Sequence, residues 1–152
     1  MPGVENLLDG LAITAVPVPG KVPLHLKGLV EPSAEDNVAL RVRDRASGGI
    51  LVWAPSVAGP SPAVERLLCE ASCILFDGTF WSTADLPGAA GMAHWPLAGD
   101  SGSLAFLRDI AAHRVLVHIN NTNPILLPGS PEHTAVVAAG VEVGEEGMEL
   151  RA

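Results

Sequence analysis

A carboxylate and an imidazole are the side chains best suited to chemistry in this 152-residue chain, and each lies at or near the end of an apolar run. Asp77 follows the run 73–76, and His118 lies in the run 115–119. Carboxylate and imidazole groups are ligands of divalent metals such as zinc and iron. Gly78, directly after the aspartate, would let the chain turn sharply while the carboxylate points outward. These residues predict a metal site, provided that the fold brings the two runs together.

The two apolar runs are separated by an irregular loop and a helix, which is the usual content of a right-handed crossover between parallel strands. We therefore expect parallel neighbouring strands at 73–76 and 115–119. The carboxyl ends of such strands share one edge of the sheet, where open α/β sheets bind their ligands. Asp77 and His118 should then lie within reach of a common ligand.

The rest of the chain predicts an α/β domain with further strands and helices. Serine followed by proline, at 61–62 and at 130–131, is a cap signal that starts a helix. Ser101 or Ser103 should cap a helix between the two site strands, and Val136 and Val137 should face inward from the last helix. The expected elements are strands at 11–18, 38–43 and 50–53, helices at 62–71 and from 131, a helix that turns Leu104 and Leu107 inward, and short strands at 141–143 and 148–150.

Each candidate site residue also has a purely structural interpretation. Asp-Gly is a common turn, an asparagine-rich segment before proline can satisfy its own backbone, and a histidine that closes an apolar strand is often a hydrogen-bonded core residue. His94 could reach the edge that carries Asp77 or lie on the surface. The other histidines, which have no such constellation, are expected to be structural or exposed: His25, His113 and His133.

Composition and charge limit the classes of function. The chain is 48% hydrophobic and 17% charged, with a mean hydropathy of +0.33, so we expect a single globular domain that turns some apolar surface toward a partner. Its net charge of −8 argues against nucleic acid and anionic membranes as partners. Because it has neither a secretory start nor an apolar run long enough to cross a bilayer, we expect a cytoplasmic protein.

The cysteine content argues against a zinc ribbon and against a disulfide framework. Cys69 and Cys73 are the two cysteines of the chain, and their spacing matches no metal-binding motif. We expect both to be buried free thiols.

Three strings, in this order, resemble the pyrroloquinoline quinone (PQQ) biosynthesis protein B family, which belongs to the metallo-β-lactamase superfamily. They are LFDGTFW at 75–81, MAHWP at 92–96 and HINNTNPIL at 118–126. Residues 16–24 resemble the segment that opens the second half of that family. The resemblance covers nearly the whole chain but only about half of the family's length.

The resemblance implies the second half of an αββα sandwich, with a mixed sheet, flanking helices and a metal at the edge where the two halves meet. It matches Asp77 to the acidic metal ligand and His118 to the last metal-binding histidine. It makes His94 a catalytic histidine near the metal, and it places Asn120 and Asn121 behind the ligands as their support. The metal implied is iron, with zinc as the other possibility.

The chain also departs from the family's pattern. No Asp-His pair precedes residue 60 and no cysteine precedes Cys69, so the metal ligands of the first half have no counterpart, and Ala93 stands where the family has glycine. A metal held by Asp77 and His118 alone should bind weakly. Half a sandwich should also leave an apolar face uncovered. Three alternatives follow. A complementary chain supplies the first half, a second copy of this chain covers the apolar face, or the chain is a degenerate remnant with neither partner.

The implied activity is metal-dependent hydroxylation of the tyrosine-derived peptide or quinone precursor of PQQ, by a half-length subunit that is inactive alone. The alternative is binding or carriage of PQQ or its precursor without chemistry. In that case Trp81 and Trp95 could stack on a planar ring, although both could equally be core or interface residues. A remnant without any site is the third hypothesis.

Overall fold

The chain forms one six-stranded mixed sheet in the computed structural model, which describes residues 9–22, 24–85, 88 and 91–151. The strands lie side by side in chain order: β1 (Leu11–Pro17), β2 (Val38–Asp44), β3 (Ile50–Ala54), β4 (Cys73–Asp77), β5 (His113–Val117) and β6 (Glu142–Val143). Strands β1 to β3 are antiparallel, and β3 to β6 are parallel. The predicted α/β class and mixed sheet are confirmed.

Three helices connect the parallel strands: α1 (Pro62–Cys69), α2 (Ser103–Arg108) and α3 (Pro131–Ala138). The serine-proline signals start α1 and α3 as predicted, because Ser61 Oγ accepts from Val64 N at 3.2 Å and Ser130 Oγ accepts from His133 N at 3.0 Å. Among the described residues, no helix is long and apolar enough to cross a membrane.

The predicted cap of α2 is wrong. Gly102 precedes the helix and no side chain caps it, while Ser103 Oγ donates to the carbonyl of Pro96 at 3.3 Å. A Cβ at Gly102 would stand 2.3 Å from the carbonyl oxygens of Leu97 and Ala98. The helix therefore begins where the backbone of the preceding loop approaches too closely for any side chain.

Two other local predictions are also wrong. Val137 is 58% exposed, whereas Val136 is buried, so α3 turns only one of the pair toward the core. Residues 148–150 form no strand and follow a turn after β6.

The β2–β3 hairpin is closed by a turn that one aspartate organises. The carboxylate of Asp44 accepts hydrogen bonds from Ala46 N, Ser47 N and Ser47 Oγ, the last at 2.6 Å. These hydrogen bonds, with that of the Ser47 hydroxyl as the largest cause, hold the pKa of Asp44 below its usual range. Gly48, with φ of +79°, completes the turn.

The two faces of the sheet differ in cover. One face packs its apolar side chains with those of α1 and α2 into the core, among them Val52, Ile74, Phe76 and Leu116, which are all fully buried. On the other face Ile13 is 51% exposed and Trp53 42% exposed. We call this second surface the open face; its partly or fully exposed apolar members include Ile13, Leu40, Val42, Leu51, Trp53 and Leu75.

Candidate metal centre

The two strand ends meet as the sequence predicted. Strand β4 pairs in parallel with β5 from Cys73 opposite His113 to Asp77 opposite Val117. Asp77 is the last residue of β4, and His118 comes directly after β5. The carboxylate and the imidazole therefore leave neighbouring strands at one edge of the sheet.

Glycine suits position 78 because a side chain would not fit there, and not because the backbone is left-handed. A Cβ on Gly78 would stand 3.0 Å from Leu116 Cβ and 3.1 Å from Ile119 Cγ1, and the φ of Gly78 is not positive. The backbone N–H of Gly78 donates to the carbonyl of Val117 at 2.8 Å. The glycine thus lets the chain after β4 pass close against the end of β5.

The carboxylate of Asp77 points inward, and the expectation that it points outward is wrong. Asp77 is fully buried. Its Oδ2 accepts from Val57 N at 3.0 Å, and its Oδ1 accepts from Thr79 N at 3.1 Å and from the Thr79 hydroxyl at 2.7 Å. A buried carboxylate is costly unless it is hydrogen-bonded, and these donors supply that compensation.

Two histidines, His94 and His118, lie close to the carboxylate of Asp77. Nδ1 of His94 lies 2.6 Å from Oδ2 of Asp77, and the imidazole of His94 stacks on that of His118 with ring centres 5.2 Å apart. His94 is half-buried and His118 is exposed. One ligand atom from each of Asp77, His94 and His118 lies within 4.8 Å of the other two. The structure therefore brings together all three residues that the sequence singled out.

Thr79 links the three candidate ligands, a role that the sequence did not predict. Its Oγ1 lies 3.1 Å from His94 Nδ1, 2.9 Å from His118 Nδ1 and 2.7 Å from Asp77 Oδ1. A hydroxyl has one hydrogen to donate and two lone pairs to accept with, so Thr79 can donate to the carboxylate and accept from a ring whose Nδ1 carries the proton. Its position two residues after Asp77 was the signal available in the sequence.

Backbone strain is concentrated at this site. Within the described ranges, the two non-glycine residues with positive φ are Ala93 at +58° and His118 at +53°. Such values are unusual for residues with a side chain, and they occur most often at functional sites. The first precedes His94 and the second is a ligand candidate itself. The φ of Ala93 also gives a physical reason why glycine would suit that position.

The asparagine behind the site is Asn123. It is buried, and its Nδ2 donates to the carbonyl of Gly78 at 2.9 Å. Asn120 instead uses its side chain to accept from Thr122, while its backbone N–H donates to the carbonyl of Thr79 at 3.0 Å. Asn121 is exposed. Support of the ligands by the side chains of Asn120 and Asn121 stays a prediction.

The remaining histidines make local contacts. His113 Nε2 lies 3.0 Å from Glu142 Oε1, and His133 Nδ1 donates to the carbonyl of Ile125 at 2.8 Å. His25 is exposed in a short 3-10 turn. These positions agree with the structural or exposed roles expected of all three.

Trp95 takes the core position that was one of its two interpretations, whereas Cys69 is not buried as expected. Trp95 is buried against Phe76 and donates from Nε1 to the carbonyl of Ser101 at 2.8 Å, so its ring is part of the core. Cys69 is exposed, and the prediction of two buried thiols holds only for Cys73. Burial raises the pKa of the Cys73 thiol.

The donor set suits a divalent metal. One carboxylate and two imidazoles are the three protein ligands of some catalytic zinc sites and of many nonhaem iron sites, which leave further positions open. The sequence predicts two metal ligands, Asp77 and His118, and the geometry adds His94 as a third donor. The catalytic role that the resemblance implies for His94 stays a prediction.

Comparisons with known proteins agree with this fold. The sequence profile of the beta-lactamase superfamily domain matches residues 4–119. The coenzyme PQQ synthesis protein B of Cupriavidus necator is 40% identical over 94% of this chain and 50% of its own length. The protein of the same name from Methylobacterium nodulans is 39% identical over 95% of this chain and 51% of its own.

A solved structure shows the same likeness in three dimensions. The crystal structure of Zn2+-bound PqqB from Methylobacterium extorquens superimposes with a TM-score of 0.83 at 35% sequence identity, over 94% of this chain and 51% of that one. The chain thus spans about half the length of the curated relatives it matches. It belongs to the metallo-β-lactamase superfamily and, within it, to the family of coenzyme PQQ synthesis protein B.

Proposed function

We propose that this chain acts in coenzyme PQQ synthesis by holding a divalent metal with Asp77, His94 and His118, at a site that hydroxylates a tyrosine-derived precursor. The observation that carries the proposal is the convergence of three ligand atoms within 4.8 Å. A bound iron ion would supply the oxygen chemistry that hydroxylation needs, and zinc is the ion named for the solved relative. Iron is therefore the metal we propose for activity.

The residues of this chain have separate tasks in the proposed site. Asp77, buried and held by Val57 N and Thr79, supplies a fixed negative charge. His118 is exposed, so its side of the cluster is where a substrate approaches. His94 is held at Asp77 by a contact of 2.6 Å and lies between the buried and the exposed ligand. Residues so held keep a metal site ready for its ion.

The experiment is a calorimetric titration of the purified chain with Zn2+ and, without oxygen, with Fe2+. We expect one ion per chain, bound more tightly than by two ligands alone, and at least a tenfold loss of affinity in His118→Ala. His133→Ala is the matched control, because that imidazole lies outside the cluster and bonds to the carbonyl of Ile125. Equal affinity in wild type and His118→Ala would overturn the proposed metal site.

Turnover separates hydroxylation from carriage. We propose that the lone chain does not hydroxylate and that activity needs the rest of the fold. An iron-loaded protein that binds PQQ, yet hydroxylates no tyrosine-containing precursor even when the rest of the fold is present, would favour carriage instead. A protein that binds neither metal nor PQQ would favour the remnant without a site.

We also propose that the open face is covered by polypeptide equivalent to the half of the solved relative that this chain does not match. The support is the exposed apolar surface at Ile13 and Trp53, and the 51% share of the relative that the chain spans. Water-exposed apolar surface of this kind marks an interaction site. Specific interfaces bury about 1,600 Å² in total, which is the scale of cover that we expect for this face.

Sedimentation of this chain with a separately expressed copy of that half of the relative tests the cover. We expect a 1:1 complex, weakened by Trp53→Arg but not by the matched control Val137→Arg, which lies on α3 and is also exposed. Metal affinity should rise in the complex. A homodimer sensitive to Trp53→Arg would assign the face to a second copy, and a monomer that binds no apolar dye would overturn the proposed cover.

A further inference from the structure

A groove beside the metal cluster contains both lysines of the chain. The chain has 9 lysines and arginines in total, and Lys21 and Lys27 are its lysines. They line the same cavity, which has a volume of about 530 Å³. Its other walls are largely apolar or glycine: Gly20, Val22, Gly28, Val30, Pro32 and Gly91.

This cavity continues toward the metal cluster. A second cavity of about 230 Å³ adjoins it, because Lys21 and Val22 line both. His94 and Ala93 also line the second cavity, together with Met92. The two cavities therefore form one groove, which we call the lysine groove, that runs from Lys27 past Lys21 to the imidazole of His94.

The charges in the lysine groove favour an anionic ligand. Among the described residues, neither lysine belongs to an ion pair with a carboxylate, and Lys21 Nζ donates to the carbonyl of Gly91. The one acidic residue that lines the groove is Asp36, beside Lys21 in the smaller cavity, and its carboxylate accepts from Ser33 N at 2.8 Å. These two cations give the concave wall a positive charge, although the chain as a whole has a net charge of −8.

We propose that the lysine groove binds an extended acidic peptide segment, with carboxylates at Lys21 and Lys27 and the chain of the ligand leading toward His94. Lysine ammonium groups attract carboxylates as compact charges, and the apolar walls at Val22 and Val30 reduce competition by water. This inference deepens the proposed function, since it names the substrate class of the same site. The binding step itself requires no metal.

The test measures binding of fluorescently labelled triglutamate to the metal-free chain by fluorescence polarisation. We expect saturable binding that weakens with added salt, and no binding of triglutamine. Lys21→Gln with Lys27→Gln should lower the affinity at least tenfold. Lys27→Gln alone should lower it severalfold, and this single variant leaves the bond between Lys21 and Gly91 in place.

The matched control is Arg66→Gln, which removes an exposed cation on α1 that does not line the groove. Its affinity for triglutamate should stay within about twofold of wild type. Equal losses in Arg66→Gln and the double lysine variant, or no loss in the latter while its circular dichroism is unchanged, would overturn the proposal. A zinc titration of the same variants keeps the two proposals apart, because the lysine variants should bind zinc like wild type.

Discussion

The imidazole of His94 contacts the buried carboxylate of Asp77, Nδ1 to Oδ2, at 2.6 Å across 17 positions of sequence. Asp77 comes from the regular end of β4, whereas His94 comes from the irregular segment between β4 and α2. The pair therefore joins a rigid element to a loop, and Thr79 joins both to His118.

Replacing the Thr79 hydroxyl should destabilise the site before any metal is added. In Thr79→Val, Oδ1 of Asp77 keeps its hydrogen bond from the backbone N–H of residue 79. It loses the hydrogen bond from the hydroxyl, which is 2.7 Å long in the wild type. Loss of one hydrogen bond to a buried charged group should lower the free energy of unfolding by about 1–3 kcal/mol. Urea denaturation checks this, with Thr83→Val on the exposed loop as the matched control.

Thr79→Ser provides the second arm of that test. The variant keeps the hydroxyl and should recover most of the zinc affinity that Thr79→Val loses. If valine and serine variants bind zinc equally well, Thr79 does not position the ligands.

Adding a methyl group at Gly78 should push the ends of β4 and β5 apart. The new Cβ would stand 3.0 Å from Leu116 Cβ, inside ordinary contact distance. We expect Gly78→Ala to lose about 1–3 kcal/mol of the free energy of unfolding and to bind zinc more weakly. Gly59→Ala is the control, because Gly59 has open space around it and no positive φ. A Gly78→Ala variant as stable as this control would refute the close approach of the two strand ends.

Ala93→Gly should relieve strain next to His94. Ala93 has a φ of +58°, where a Cβ costs about 1–2 kcal/mol and glycine costs little. Part of this gain is offset because glycine makes the unfolded chain more flexible, by about 0.4–1 kcal/mol. Thermal unfolding should show Ala93→Gly at least as stable as wild type, and the helical control Ala63→Gly should be less stable. Equal losses in both would mean that residue 93 carries no strain.

The two thiols should differ sharply in reactivity. Cys69 is exposed, while Cys73 is buried and burial raises the pKa of its thiol. Because the thiolate is the reactive form, iodoacetamide should label Cys69 first in the folded chain and Cys73 only after unfolding, as mass spectrometry can follow. Early labelling of Cys73 in folded protein would show that β4 is open to solvent.

The pKa of Cys73 also implies a direction for stability against pH. The folded chain holds this proton more tightly than the unfolded chain does, so the contribution of Cys73 is complete below the pKa of an unfolded thiol. It should decline as pH rises through and above that value. Cys73→Ala should remove this alkaline decline in urea denaturation, while Cys69→Ala should keep it, and an unchanged decline in Cys73→Ala would assign it to another group.

The sequence by itself determined the strand edge at which the site lies and most of the elements around it. The apolar runs before Asp77 and around His118, with a helix between them, imply parallel strands whose ends coincide. Ser61 and Ser130 determine their own helix starts, because the cap is a contact with a residue three positions away. Such features depend on neighbours in sequence, and their signals are therefore local.

Only the tertiary structure decided how the site is completed. His94 reaches Asp77 through a loop without periodicity, Thr79 bonds to His118 across 39 positions, and Lys21 meets Gly91 across 70. The inward direction of the Asp77 carboxylate depends on Val57 N, which belongs to another segment. These contacts join segments that are distant in sequence, and no local propensity encodes them, because their geometry exists only after the sheet and its loops have packed.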